Sequence, residues 1–201
     1  MQKNIKWLSI GTVLGDTNID NFHFSLKNYK AKKGDIVTTQ TNIPDGNAQY
    51  IKSQTGFADY YSGFGWYGTL EDIDNVSMYK LNMEVQDNIV LTGMPVDIGS
   101  TVFNLAAGWN WIGYSPQIML DLNTALFNIP SGNAIYIKSQ TGFADYYSGF
   151  GWYGTLENID NFSMYKLNME AEDSIVLTGE AVDVSNTVFS LSSGWNWIGY
   201  A

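Results

Sequence analysis

The sequence predicts an all-β protein of two tandem small antiparallel β-sandwich or barrel-like modules, each with one short helix. Three observations carry that expectation. Residues 46–114 and 132–200 align without a gap at an offset of 86, and 55 of 69 positions are identical. Apolar and polar residues alternate with period two through most of each copy, as half-buried strands do. Glycine, Asn and Asp punctuate those runs where tight turns are needed. The period exceeds the roughly 20–50 residues of solenoid and propeller repeats, so each copy is expected to be a small domain. The division falls at 1–108 and 109–201.

Taken in order, Trp7 opens a strand over 7–11, and residues 19–26 form a short helix with Asp20 as cap. Residues 34–40 add a strand that has no counterpart later in the chain. Pro44-Asp45-Gly46-Asn47 is a hairpin turn. Strands over 50–54 and 57–61 join at Thr55-Gly56, and Ser62-Gly63-Phe64-Gly65 turns the chain into 66–70. In 77–84, Tyr79, Leu81 and Met83 share one face, while Met78, Lys80, Asn82 and Glu84 share the other. A strand at 89–91 comes next, then 101–105 with Phe103 and Leu105 inward.

The strand over 109–114 places Trp109 and Trp111 on one face, assigned to the core, and Asn110 and Ile112 on the other. Leu122, Ala125, Leu126 and Ile129 then recur at helical spacing, with Asp121 as N-cap and Pro130 as stop. Trp strands number three (7–11, 109–114 and 195–200) for two repeated blocks. Only Ser115-Pro116 separates the middle one from the second module, so the junction is expected to be stiff, with 109–114 close to both modules.

Composition narrows the function. A net charge of −10 with only 10 basic residues excludes the basic footprint that phosphate backbones require, so no nucleic-acid partner is expected. The apolar runs are too short for a membrane-spanning helix. Residues 1–15 lack the apolar core of a signal peptide. That leaves excision from a longer chain, export by another route, or assembly inside a cell as virion proteins are assembled. With no Cys, 7 Trp, 13 Tyr and 10 Phe must supply the cohesion that disulfides give most small extracellular domains.

Chemical motifs are weak. Gly63 through Gly68, and Gly149 through Gly154, match G-x-G-x-x-G, but the aromatic flanks and the strand after them favour a hairpin turn over a dinucleotide site. His23 is the single histidine, so it cannot complete a triad in both copies. Asp59 with Glu71, and Asp145 with Glu157, could form the carboxylate pair of a glycosidase. Acidic residues near turns are usually solvated, and two near-identical active sites in one short chain would be unusual; the expectation is no enzyme and no cofactor. Asp72-Ile73-Asp74-Asn75 has oxygens for calcium, but an Asx-type turn explains it better, and no metal is assigned.

The aromatic cluster is the main binding candidate. Phe57, Tyr60, Tyr61, Phe64, Trp66 and Tyr67 recur as Phe143, Tyr146, Tyr147, Phe150, Trp152 and Tyr153. Either the glycines let the loop bury these rings, or half of them face outward to stack on a sugar or dock on a protein. On the second reading the ligand residues are Gln54, Asp59, Tyr61, Trp66 and Tyr67, and in the second copy Gln140, Asp145, Tyr147, Trp152 and Tyr153. All 14 differences between the copies fall outside residues 50–71.

Gly-Trp-Asn-Trp-Ile-Gly-Tyr at 108–114 and 194–200, Tyr-Ile-Lys-Ser-Gln-Thr-Gly-Phe-Ala-Asp-Tyr-Tyr at 50–61, Gly-Trp-Tyr-Gly-Thr-Leu at 65–70 and Ser-Met-Tyr-Lys-Leu-Asn-Met-Glu at 77–84 occur in ordered combination. Together they resemble a β-module of bacterial secreted and surface proteins, especially of Bacteroidetes-like lineages. The chain departs at Asp74-Asn75-Val76-Ser77, where that module usually has Pro-Gly-Lys-Gly. The resemblance implies an all-β accessory module with no catalytic residues. The expected function is a non-enzymatic extracellular or cell-surface binding or adhesive repeat, with a glycan as ligand or another surface protein as partner. The alternative is a virion or surface-filament protein whose aromatic loops mediate subunit contacts.

Overall fold

A computed structural model describes residues 47–74, 76–90, 97–129, 132–177, 179–180 and 188–199. The expected elements at 7–11, 19–26 and 34–40, and the turn at 44–46, lie outside the described residues. The fold is all-β, and every strand ladder among the described residues is antiparallel.

The first copy contributes β1 (Ala48–Lys52), β2 (Phe57–Tyr61), β3 (Gly65–Gly68), β4 (Met78–Met83) and β5 (Asp87–Val90). It continues through β6 (Val102–Leu105) and β7 (Gly108–Ile112). Next come β8 (Leu120–Asp121) and α1 (Leu122–Ala125). The second copy supplies β9 (Ala134–Lys138), β10 (Phe143–Tyr147), β11 (Gly151–Gly154) and β12 (Asn158–Ile159). It ends with β13 (Tyr165–Met169), β14 (Asp173–Val176), β15 (Val188–Leu191) and β16 (Gly194–Gly199).

Pairing crosses between the copies. One five-stranded sheet runs β16-β4-β1-β2-β3, and the other runs β11-β10-β9-β13-β7. The Trp strand of the second copy therefore edges the first sheet, and the Trp strand of the first copy edges the second. The shorter ladders do likewise: β6 pairs with β14, and β15 with β5. Both kinds of ladder run across the 108/109 position drawn from sequence.

Two hydrophobic clusters lie beneath the sheets. The first gathers Ile51, Ala58, Trp66, Leu81 and Met83 with Leu191 from β15. The second packs Ile137, Trp152 and Leu167 against Phe103, Ile175 and Leu122. Each sheet thus covers its apolar face with a two-stranded ladder, the layered arrangement that buries half of an alternating strand. Val76 of the first copy packs against the second cluster. Its counterpart Phe162 lies 5.5 Å from the Phe189 ring.

Local chemistry explains the elements expected from sequence. Asp121 caps α1 by accepting from the Thr124 N–H at 3.0 Å, and Leu122, Ala125, Leu126 and Ile129 are all buried. Tyr79, Leu81, Met83, Phe103 and Leu105 point inward as expected, and Met78 is buried as well. The G-x-G-x-x-G segments are hairpin turns: Gly63 and Gly65 adopt φ of 74° and 90° between β2 and β3. At Gly68 a Cβ would sit 2.0 Å from the Phe57 carbonyl oxygen, so only glycine lets β3 approach β2 there.

The Trp strands reverse one expectation. Asn110 and Ile112 are buried, whereas Trp109 is 43% exposed and Trp111 half-buried, so the indoles face outward. Asn110 fits the inner face because its own turn satisfies it. Its Oδ1 accepts from the Ala106 N–H at 2.9 Å, and its Nδ2 donates to the Ala106 and Gly108 carbonyls at 2.8 and 3.1 Å. Asn196 repeats these contacts with Ser192 and Gly194.

Candidate ligand-binding face

The outward surface of each five-stranded sheet is set by strand parity. Register places Trp195, Asn82, Tyr50, Asp59 and Tyr67 side by side across the first sheet. Trp109, Asn168, Tyr136, Asp145 and Tyr153 form the same row across the second. Rings in these rows touch. Tyr50 stacks on Phe57 with centroids 5.9 Å apart and meets Trp195 edge-on at 5.7 Å. Tyr136 does the same with Phe143 and Trp109, at 5.9 and 5.8 Å. Such cross-strand pairs stiffen a sheet face while leaving ring surface in water.

The adjacent row is basic. Trp197, Lys80, Lys52 and Phe57 are in register on the first sheet, and Trp111, Lys166, Lys138 and Phe143 on the second. Lys52 lies 5.3 Å from the Trp195 ring centroid, and Lys138 5.4 Å from that of Trp109. The two faces meet where Lys80 sits 4.4 Å over Trp197 and 5.3 Å from Trp111, and Lys166 sits 4.1 Å over Trp111 and 5.3 Å from Trp197. Burial, then the charge of Lys80, lowers the Lys166 ammonium pKa to about 8, and burial with the charge of Lys52 lowers that of Lys80.

The residues expected from sequence to bind ligand divide into three groups. Trp66 and Trp152 are buried at 6% and 7% exposure, beside their cross-strand partners Tyr60 and Tyr146, which they meet edge-on with centroids 5.1 Å apart. Neither indole is open to a ligand: the hairpin folds this ring inward and leaves its neighbours outside. Gln54 and Gln140 are committed to backbone. Gln54 Nε2 donates to the Trp109 carbonyl at 2.6 Å, and its Oε1 accepts from the Trp111 N–H at 2.8 Å. Gln140 makes the same pair with Trp195 and Trp197, at 2.8 and 2.9 Å. Each amide thereby imitates a neighbouring strand along the outer edge of β7 or β16, blunting an edge that would otherwise invite pairing.

Asp59, Tyr61 and Tyr67, with Asp145, Tyr147 and Tyr153, remain on the outward side. Tyr61 meets Tyr67 edge-on at 5.7 Å, and Tyr147 meets Tyr153 at 6.0 Å. Phe64 and Phe150 stand at the hairpin tips, 74% and 78% exposed. Sequence reasoning missed Tyr50, Asn82 and Trp195, with Tyr136, Asn168 and Trp109, as members of the face. The available signal was parity, because Tyr50 and Asp59 share a side only once the hairpin register is known.

Asp74 builds an Asx-type turn. Its Oδ1 accepts from the Val76 and Ser77 N–H groups at 3.0 and 2.7 Å, and its Oδ2 from the Ser77 hydroxyl at 3.0 Å. Its own N–H donates to the Tyr79 hydroxyl at 2.7 Å, as that of Asp160 does to Tyr165 at 2.8 Å. Beside this turn, a groove of about 340 Å³ lies between the β1–β2 turn and the β6–β7 hairpin, with Asp72, Asn104 and Trp111 among its walls. A related groove of about 240 Å³ adjoins Gln140 and Trp197.

Comparison with protein-family models, curated proteins and solved structures yields no match to this chain.

Proposed function

We propose that the chain is a non-enzymatic, extracellular or cell-surface carbohydrate-binding repeat that presents two equivalent sugar-binding faces. The observation that supports this reading is the in-register row Trp195, Asn82, Tyr50, Asp59, Tyr67 and its duplicate on the second sheet. Sugar rings carry apolar C–H faces and equatorial hydroxyls. Exposed Tyr and Trp rings offer stacking surface for the former, and Asp and Asn side chains offer hydrogen-bond partners for the latter. Two faces on one body raise avidity for a polymer long enough to span them. The face resides on paired strands, so it is largely preorganised and little ordering entropy opposes binding.

A glycan-array screen with affinity electrophoresis tests the proposal. Binding should weaken at least tenfold in Tyr67→Ala/Tyr153→Ala and in Asp59→Asn/Asp145→Asn. A chain that retains no glycan from a broad panel is not a carbohydrate-binding repeat.

A second reading has its own support. Phe64 and Phe150 protrude at the tips of the β2–β3 and β10–β11 hairpins, a position suited to insertion into a neighbouring subunit. On that reading the chain is a structural protein of a virion or surface filament. Light scattering decides: concentration-dependent assembly that disappears in Phe64→Ser/Phe150→Ser favours it, and a monomer at all concentrations removes it.

A further inference from the structure

The chain has ten basic residues, and only Lys52, Lys80, Lys138 and Lys166 lie beyond residue 46. The same stretch holds 16 of the 20 Asp and Glu residues. All four lysines nevertheless meet at one place: Lys52 and Lys80 are in register on β1 and β4, Lys138 and Lys166 on β9 and β13, and each lies over an outward indole of β7 or β16. Scattered surface charges in a chain this acidic would each find carboxylate neighbours. Here the charges that act on Lys80 and Lys166 belong to other lysines of the group.

We propose that this junction of four lysines and four tryptophans binds the carboxylates of an acidic oligosaccharide, a uronate polymer in class. The inference rests on the carbohydrate-binding reading above and names the sugar class. Its physical basis is that four cations held together in a partly desolvated aromatic setting repel one another, and an arriving carboxylate removes that repulsion. The indoles hold the ammonium groups by cation–π contact without neutralising them. On both flanks the character changes to Tyr, Asn and Asp, which suit hydroxyls and repel further negative charge. That gradient favours a uronate, which carries free hydroxyls on the same ring as each carboxylate and so can use both kinds of surface. A deoxyribonucleotide backbone brings phosphates without free ring hydroxyls for Tyr, Asn and Asp to bind, and its charges would meet Asp59 and Asp145 on either side.

The test is isothermal titration of the full chain with oligogalacturonate and with its methyl ester, which has the same rings without the charge. The acid should bind at least tenfold more tightly, and that preference should fall steeply with added salt. Lys80→Gln/Lys166→Gln should abolish the preference, and Lys80→Arg/Lys166→Arg should retain most of it. In nitrogen-15 NMR, oligogalacturonate should raise the titration midpoint of the Lys166 ammonium, a readout that does not depend on how the variants fold. Equal binding of acid and ester leaves the carbohydrate reading standing and overturns this one. So does a preference that survives Lys80→Gln/Lys166→Gln, or a thymidine oligonucleotide that binds as tightly as the uronate. Failure of both sugars to bind overturns the two readings together.

Discussion

Gln140 Oε1 accepts a hydrogen bond from the Trp197 N–H at 2.9 Å, across 57 residues of chain. The other half of the same amide donates to the Trp195 carbonyl, and Gln54 reproduces both bonds on Trp109 and Trp111. The turn between β9 and β10 thereby holds the edge strand of the other sheet. Gln54→Ala or Gln140→Ala should each cost about 1–2 kcal/mol, from two backbone groups returned to solvent. Hydrogen exchange at the Trp111 or Trp197 amide should quicken in the matching variant. Unchanged exchange would show that the amides do not secure the edge.

Burial separates neighbouring rings of one hairpin. Trp66→Ala removes a core indole and should cost about 3–5 kcal/mol, while Tyr67→Ala, one residue on, should cost under about 1 kcal/mol. Trp111, half-buried and outward, should fall between them. Chemical denaturation of the three variants checks the order; a Trp111 effect equal to that of Trp66 would return this indole to the core.

Three buried tyrosines differ in their partners. Tyr165 and Tyr79 hydroxyls accept from the loop amides of Asp160 and Asp74. The Tyr114 hydroxyl finds no hydrogen-bond partner among the described residues. Tyr165→Phe and Tyr79→Phe should therefore each cost about 1 kcal/mol, whereas Tyr114→Phe should be neutral or slightly stabilising. Thermal melts of the three variants supply the comparison.

Stability should pass through a maximum near pH 10. Burial lowers the Lys166 pKa to about 8, so its charge penalises the folded state at lower pH. The penalty lifts as pH rises from about 8 towards the unfolded value near 10.4. Burial raises the pKa values of Tyr79 and Tyr165, and burial with the charge of Asp160 pushes Tyr114 up to about 12. Above about pH 10 the unfolded chain loses those tyrosine protons first. Stability then falls by up to ~1.4 kcal/mol per pH unit for each of Tyr79 and Tyr165. Denaturation midpoints measured from pH 7 to 12 should trace the rise and fall, and Lys80→Gln/Lys166→Gln should flatten the rise.

Removing residues 187–201 should strip β15 and β16 from β5 and β4, and Leu191 from the first core. Amide protection at Ile51 should drop far more than at Ile137, whose sheet takes its edge strand from β7. Equal loss at both positions would argue that the two cores unfold as one unit.

Much of this architecture arises from residue order alone. The period-two pattern of 77–84 and 101–105, the Asp121 cap and the glycine turn at 62–65 depend on neighbours within a few positions, and local physics settles them. The Asn110 and Trp111 parity could not be read that way. An alternating strand offers two faces, and an Asn whose own turn satisfies it suits the inner face, leaving the Trp outside. The candidate face was legible in part: Asp59, Tyr61 and Tyr67 are outward, whereas Trp66 folds inward and Gln54 is spent on backbone.

Sequence by itself determined strands, turns and repetition, because those arise from short-range sterics and hydrophobic alternation. The division at 108/109 already put the middle Trp strand with the second module, but that the last Trp strand returns to complete the first sheet was decided only in three dimensions. Gly194 through Gly199 repeats Gly108 through Gly113 residue for residue, so either strand offers β4 or β13 the same hydrogen bonds in the same register. Connectivity breaks that tie: β7 runs on through α1 into β9 and stays with the second sheet, leaving the edge of β4 to β16. The gathering of four lysines results from that exchange, since it brings Trp111 and Trp197 within reach of both Lys80 and Lys166.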